Sequence, residues 1–171
     1  MVHATVVARW LKGGWRGVLV RGPSGAGKSS LALSLLREGW RLVADDRAIL
    51  WASGGRLFAR APERLFGLVE ARGLAVLPVP ALAFAEVVLA VDLAAAPEQL
   101  DRIPEPAWER FGAVEVRRIA LFAPEPSATA KLALALAAVA LGAGQEPAYQ
   151  APSAEEAEAP GAARGPPMGN R

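Results

Sequence analysis

Eight consecutive residues, Gly22-Pro23-Ser24-Gly25-Ala26-Gly27-Lys28-Ser29, have the types and spacing of a phosphate-binding loop, G-x-x-x-x-G-K-S. The chemistry of such a loop is anion capture. Small residues let successive backbone N–H groups close around phosphate oxygens. A lysine ammonium then reaches the β- and γ-phosphates, and the serine hydroxyl reaches Mg²⁺. Lys28 is one of three lysines, with Lys12 and Lys131, in a chain that otherwise places its positive charge on arginine. A compact ammonium suits a phosphate contact here. Ser30 follows directly and joins the candidate nucleotide contacts.

A loop of this kind works between a strand and a helix. Gly17-Val18-Leu19-Val20-Arg21 has the apolar run of a short buried strand. After the loop, Leu31 and Leu35, with Ala32 and Leu36, recur at helical spacing. That spacing predicts a helix over about 28–38, with Gly39 as its stop. The helix N-terminus adds its dipole to the anion site.

A phosphate loop also needs carboxylates, and strand ends supply them. Asp45-Asp46 closes the apolar run Leu42-Val43-Ala44, and Asp92 closes Val87 to Val91. Adjacent carboxylates can divide two tasks, one orienting a metal and the other taking a proton from an incoming hydroxyl. An Asp-Asp turn that caps the next segment is the alternative. Asp92 reads as a helix N-cap or turn. The first pair follows the loop's own helix, so its strand is expected to run beside the loop strand. Glu70 and Arg72 fall on one face of an extended segment. They could complete a metal site and steady phosphate charge, or form a surface ion pair. His3, the single histidine, stands just before the first strand and alone reads as a frayed terminal residue.

The remaining elements follow from pattern. Strands are expected at Thr5–Ala8, Arg41–Ala44, Leu74–Leu77, Val87–Val91 and Val114–Phe122. A glycine-turned hairpin joins Ala48–Trp51 to Arg56–Ala59. A helical turn is expected at Arg64-Leu65-Phe66, a loop over 97–106, and a final helix capped by Ser127 and running to about Leu141. From Gly142 the composition turns to Pro, Gly, Ala and Glu, including Glu155, Glu156 and Glu158. Such a stretch reads as a disordered tail. One catalytic domain over 1–142 and a tail over 143–171 are therefore expected.

At 53% hydrophobic content, 171 residues suffice for one α/β domain with a real core. A formal charge of +2 without a Lys/Arg run argues against nucleic acid. The absence of cysteine excludes disulfides, cysteine-bound zinc and thiol catalysis. The longest apolar run, Leu132 to Leu141, is far short of the roughly 20 residues of a membrane helix. The N-terminus lacks the pattern of a signal peptide. A soluble cytoplasmic protein with no membrane partner is expected.

Together these motifs resemble one family, the bacterial HPr kinase/phosphorylase, in a short form lacking the N-terminal domain. The stretches that carry the resemblance are His3-Ala4-Thr5, Gly17 to Leu33, Gly39 to Asp46, and Leu68-Val69-Glu70-Ala71-Arg72-Gly73-Leu74. They spread over roughly residues 3–140. The resemblance implies a P-loop kinase fold similar to phosphoenolpyruvate carboxykinase, a single α/β domain with a mixed sheet. It implies ATP-dependent phosphorylation of a serine on the phosphocarrier protein HPr, and a homohexamer. By position, Gly22 to Ser29 hold ATP, and Ser29 with Glu70 bind Mg²⁺. Asp46, with Asp45 beside it, accepts the proton of the attacking serine. His3 matches the family's active-site histidine, and Arg110 its catalytic arginine.

Ser30 stands where the family usually has an acidic residue, and Ala75 where it has glycine. The segment used for dephosphorylation is not recognisable; Pro124 to Lys131 occupies its zone. A kinase with weak or no phosphorylase activity is therefore expected. A small-molecule P-loop kinase and a non-catalytic ATP-sensing module remain the alternatives.

Overall fold

Val6, Val7, Val18, Leu19 and Val20 are all buried. Neighbours along a strand point to opposite faces, so these strands must be covered on both sides. The computed structural model, which describes residues 1–142, has this arrangement. A mixed nine-stranded sheet separates two apolar cores.

The strands are β1 (Val2–His3), β2 (Thr5–Leu11), β3 (Gly14–Arg21), β4 (Arg41–Ala44), β5 (Arg47–Ser53) and β6 (Arg56–Arg60). They continue with β7 (Leu68–Ala71), β8 (Ala75–Pro78), β9 (Ala85–Leu93), β10 (Ala107–Phe111) and β11 (Val114–Leu121). The helices are α1 (Lys28–Arg37) and α2 (Ala128–Ala140). The main sheet runs β1-β5-β6-β9-β3-β2-β4. One edge of β9 pairs in parallel with β3. The other is shared, by β6 against residues 85–87 and by β11 against residues 89–93. β10 closes that end as the antiparallel partner of β11. β7 and β8 form a separate two-stranded hairpin.

Both helices cover one face. Leu31 and Leu35 of α1 and Leu132 and Leu136 of α2 pack with Val18, Val20, Leu89 and Val91. Replacing the fully buried Leu35 by Ala is expected to cost about 2–5 kcal/mol, read as a fall in the urea midpoint at constant slope. The second core holds smaller side chains, among them Ala4, Ala8, Ala48, Ala59 and Ala90. β4 and β6 stand four places apart in the sheet yet approach each other. The sheet therefore curls around this face, and alanines permit the close approach.

Helix α1 ends as Gly39 predicts. Gly39 has φ +86°. Its N–H donates to Leu36 O, and the Trp40 N–H reaches back to Leu35 O. This pair of bonds is the Schellman pattern, and it places the buried Trp40 in the core that holds Leu35.

Several expectations change. β4 does not lie beside β3; β2 lies between them and is antiparallel to both. Two reversals leave β4 pointing the same way as β3, so Asp45 still emerges at the loop's end of the sheet. Asp92 neither caps a helix nor makes a turn. It lies inside β9 and pairs with Arg21 at 2.9 Å, and Arg118 binds its other oxygen. Ser127 occupies the N-cap of α2, but its hydroxyl bonds the Glu125 carboxylate and no backbone N–H. β10 starts directly after the loop expected over 97–106, where Pro104 and Pro106 obscure the start of its alternation. The segment 143–171, read as a disordered tail, lies outside the described residues. No described helix is long and apolar enough to cross a membrane.

Candidate functional site

The loop Gly22 to Gly27 leaves the end of β3 and delivers Lys28 to the first turn of α1. Three of its residues require glycine. Gly22, Gly25 and Gly27 have φ of +153°, +85° and +92°, which side-chain-bearing residues rarely adopt. A Cβ on Gly22 would stand 3.0 Å from Leu93 Cβ, and one on Gly27 3.2 Å from Ala123 Cβ. The loop is thus pressed against the ends of β9 and β11, with its hollow side free for an anion. Ala26 N–H donates to Pro23 O and closes the turn within it.

Lys28 is largely buried, and its ammonium donates to Gly22 O at 2.9 Å and Pro23 O at 3.0 Å. The side chain is folded back along the loop it serves. Arg21, at the root of the loop, forks onto Glu109, with one bond of 2.6 Å. That hydrogen bond, above all, raises its pKa, and the charges of Asp92 and Glu109 act the same way against desolvation. The β10–β11 hairpin is therefore strapped to the strand from which the loop springs.

Asp45 and Asp46, neighbours in sequence, have opposite surroundings. Asp45 is buried and saturated with donors. Its Oδ1 accepts the hydroxyls of Thr5 at 2.6 Å and Ser29 at 3.1 Å, and its Oδ2 accepts the Glu70 N–H at 3.1 Å. One carboxylate thus joins β2, α1, β4 and β7. Thr5 is the residue that sequence reasoning missed. Its only signal is a hydroxyl next to the apolar run Val6 to Ala8, and its partner lies 40 residues away.

Asp46 has φ +63°, and around it the Arg47 N–H donates to Asp45 O at 2.7 Å. A three-residue turn with positive φ is strained for a residue other than glycine, and such strain gathers at functional positions. The turn directs Asp46 outward, with its side chain 63% exposed. His3 Nε2 lies 3.1 Å from its Oδ1. His3 is not frayed: β1 pairs with β5, in the register His3 to Arg47.

A pocket of about 140 Å³ gathers these groups. Ser24, Gly25, Gly27, Lys28, Ser29 and Ser30 form its loop side. Asp45, Asp46, His3, Glu70 and Arg72 form the other. Gly22, Pro23 and Ala26 stand behind this lining and shape it. Glu70 and Arg72 do not pair with each other. Among the described residues the Arg72 guanidinium has no carboxylate partner, and its Nη1 lies 3.9 Å from where a Cβ on Gly25 would stand. It arches over the loop with its charge unspent. Arg110 is not brought to this pocket. It bonds Glu115 on the adjacent strand at 2.9 Å and is largely exposed. Lys131 pairs with Glu125, whose carboxyl is held below its usual range by Lys131 first and Ser127 second.

The donor set fits Mg²⁺ bound together with phosphate. Among the described residues no cluster of three or more His, Cys, Asp or Glu is arranged to hold a metal alone. Ser29 and the carboxylates around it are hard oxygen donors. Mg²⁺ commonly takes one or two protein ligands and completes its shell with phosphate and water.

Known proteins resemble the chain in the same region. The model of the HPr serine kinase C-terminal domain matches residues 11–95. That span holds the loop, Asp45, Asp46, Glu70 and Arg72, and leaves out His3 and Arg110. The HPr kinase/phosphorylase of Clostridium perfringens (strain SM101 / Type A) is 46% identical over 66 residues, 39% of this chain and 22% of the relative. That of Clostridium tetani (strain Massachusetts / E88) is 44% identical over the same shares. The match therefore spans about a fifth of the length of these relatives. In three dimensions the Hpr(Ser) kinase/phosphatase from Coxiella burnetii matches with a TM-score of 0.65 at 26% identity. The match covers 77% of this chain and 89% of that one. The loop, Asp45, Asp46, Glu70 and Arg72 thus lie in the stretch that is similar to the HPr serine kinase C-terminal domain, and the large mixed sheet is similar to that of an Hpr(Ser) kinase/phosphatase.

Proposed function

We propose that this protein transfers the γ-phosphoryl group of MgATP to a serine hydroxyl of an HPr-type phosphocarrier protein. The observation that carries this reading is the convergence of Lys28, Ser29, Asp45, Asp46, His3, Glu70 and Arg72 on one pocket. The similarity to proteins named as HPr kinases supports it.

Each group has a task that its surroundings suit. The loop's N–H groups and the N-terminus of α1 hold the phosphates. Lys28 exchanges its carbonyl partners Gly22 and Pro23 for phosphate oxygens. Asp45, already held by three donors, orients Ser29. Asp46 is exposed enough for an approaching hydroxyl and takes its proton, while His3 fixes the carboxylate. Arg72 brings positive charge over the loop, where charge develops during transfer. Mg²⁺, held by Ser29 with Glu70, would neutralise phosphate charge.

Within the same proposal the protein acts in the cytoplasm, assembles as a homo-oligomer, a hexamer by resemblance, and shares the carboxykinase-like fold. Its domain is residues 1–142. Reverse phosphorolysis is weak or absent. Arg110, bonded to Glu115, has no role in transfer within one chain.

The test is incubation of the full chain with HPr and γ-labelled ATP, followed by identification of the phosphorylated residue by mass spectrometry. A serine phosphate that depends on Mg²⁺ is expected, with little pyrophosphate formed when phospho-HPr is incubated with inorganic phosphate in the reverse assay. Transfer to small hydroxyl metabolites and none to HPr would replace this reading with that of a metabolite kinase. Tight ATP binding with no transfer at all would leave a sensing module.

A further inference from the structure

Asp45 meets three donors, and they do not hold it equally. The Thr5 hydroxyl gives the shortest bond, 2.6 Å to Oδ1, the length of a charge-assisted O–H···O⁻ contact. Ser29 reaches the same oxygen at 3.1 Å. We propose that Thr5 is a positioning residue for the metal. It keeps the Asp45 carboxylate turned to Ser29 and away from the metal, so that Ser29 offers its lone pairs to Mg²⁺. The role rests on the reading of the pocket as a site for MgATP.

An ionised carboxylate only accepts, with about two sites on each oxygen. Thr5 and Ser29 fill both sites of Oδ1. The oxygen that faces Ser29 is therefore spent and cannot also ligate a metal. Ser29 must donate its proton to this anion, which leaves the lone pairs of its hydroxyl free, and Ser29 lines the pocket. Ser34 shows what a serine of the same helix does otherwise. Its hydroxyl turns back to the backbone, to Ser30 O at 3.2 Å.

Thr5 is fully buried at the start of β2, opposite Val20 of β3. The two residues before it hold the other aspartate. Ala4 N–H donates to Asp46 O at 3.2 Å, and His3 meets the Asp46 carboxylate. Three consecutive residues thus brace the aspartate pair. The other partners of Asp45 lie outside the main sheet, Ser29 on α1 and Glu70 on the β7–β8 hairpin. Rotation about the last bond of an aspartate side chain is soft. Of the three donors only Thr5 belongs to the sheet, so Thr5 sets the angle at which the carboxylate meets the helix. Packing alone would accept valine here, which has the same branched shape and suits a strand. The hydroxyl is the part that the fold does not require.

Titration of the full chain with Mn²⁺ in the presence of ADP, followed by electron paramagnetic resonance, tests this. Calorimetric titration with ADP in EDTA runs beside it. Thr5→Val is expected to weaken Mn²⁺ binding to the ADP complex by about 10–100-fold, the usual effect of removing a group that orients a metal ligand, with metal-free ADP affinity within about threefold. A merely structural Thr5 would lower stability without separating these two affinities. Thr5→Ser keeps the hydroxyl and should stay within about threefold of the unaltered protein in both. Should Thr5→Val lose metal-free ADP binding through misfolding, Thr5→Cys replaces it; a thiol donates weakly, and a loss of about tenfold in Mn²⁺ affinity is expected. Unchanged or tighter Mn²⁺ binding in a variant that still binds ADP overturns the role of Thr5. A loss in Thr5→Ser equal to that in Thr5→Val overturns it too, since the hydroxyl would not be what matters. If the unaltered protein binds no ADP, or binds it without regard to metal, the reading of the pocket as a MgATP site falls instead, and this role with it.

Discussion

Replacing Asp46 by Asn is expected to slow phosphoryl transfer to HPr by about 10²–10⁴-fold, the usual contribution of a positioned general base, with MgATP affinity within about threefold. The amide has the shape of the carboxylate but cannot take a proton. Asparagine also tolerates the φ of +63° at this turn, so the backbone should be undisturbed. Single-turnover transfer together with nucleotide titration separates the two quantities. Transfer that stays within tenfold of the unaltered protein would remove Asp46 from the role of base. Asp46→Ala is a less clean variant. Alanine pays about 1–2 kcal/mol in the left-handed region, so lost activity would mix with lost stability.

Asp45 should behave in the opposite way. Asp45→Ala is expected to cost about 2–4 kcal/mol of stability, because it leaves the Thr5 hydroxyl, the Ser29 hydroxyl and the Glu70 N–H without their acceptor. The loop and the β7–β8 hairpin lose their common anchor at the same time, so transfer should fall as well. Asp45→Asn is the control. Its oxygen can keep the Glu70 N–H, and its amide N–H groups can turn to the two hydroxyls, which accept as well as donate. The cost should then drop to about 1 kcal/mol. Urea unfolding of both variants measures the difference. Equal destabilisation by Ala and Asn would mean that packing around Asp45, and not its hydrogen bonds, holds the three elements.

Local signals were legible wherever one residue type answers one local demand. The loop at Gly22 to Ser29, the helix after it and the stop at Gly39 follow from spacing and glycine conformation alone. So do the strands at Arg41–Ala44 and around Val87–Val91, which are continuous apolar runs. The hairpin at Ser53 to Arg56 is turned by its two glycines. β10 was missed, since its alternation begins behind two prolines and it gains a partner only through β11. Asp92 was misread for a related reason. A charged residue after an apolar run looks like an ending until Arg21 and Arg118 arrive from neighbouring strands to neutralise it.

By itself the sequence determined that an anion-binding loop stands between a strand and a helix, and that carboxylates, a histidine and an arginine are available to it. Short-range geometry is enough for that, because a glycine loop and a helix N-terminus are built from consecutive residues. Only the tertiary structure decided which of those groups work together. Interposing β2 between β3 and β4 keeps Asp45 at the loop's end of the sheet. The turn at Asp46 then separates two adjacent aspartates, one buried among three donors and one open beside His3. Arg72 is brought over the loop, and Arg110 is bonded to Glu115 instead. These outcomes depend on strand order and on which partner reaches a charge first, and contacts between residues 25 to 40 positions apart are not encoded in any local pattern.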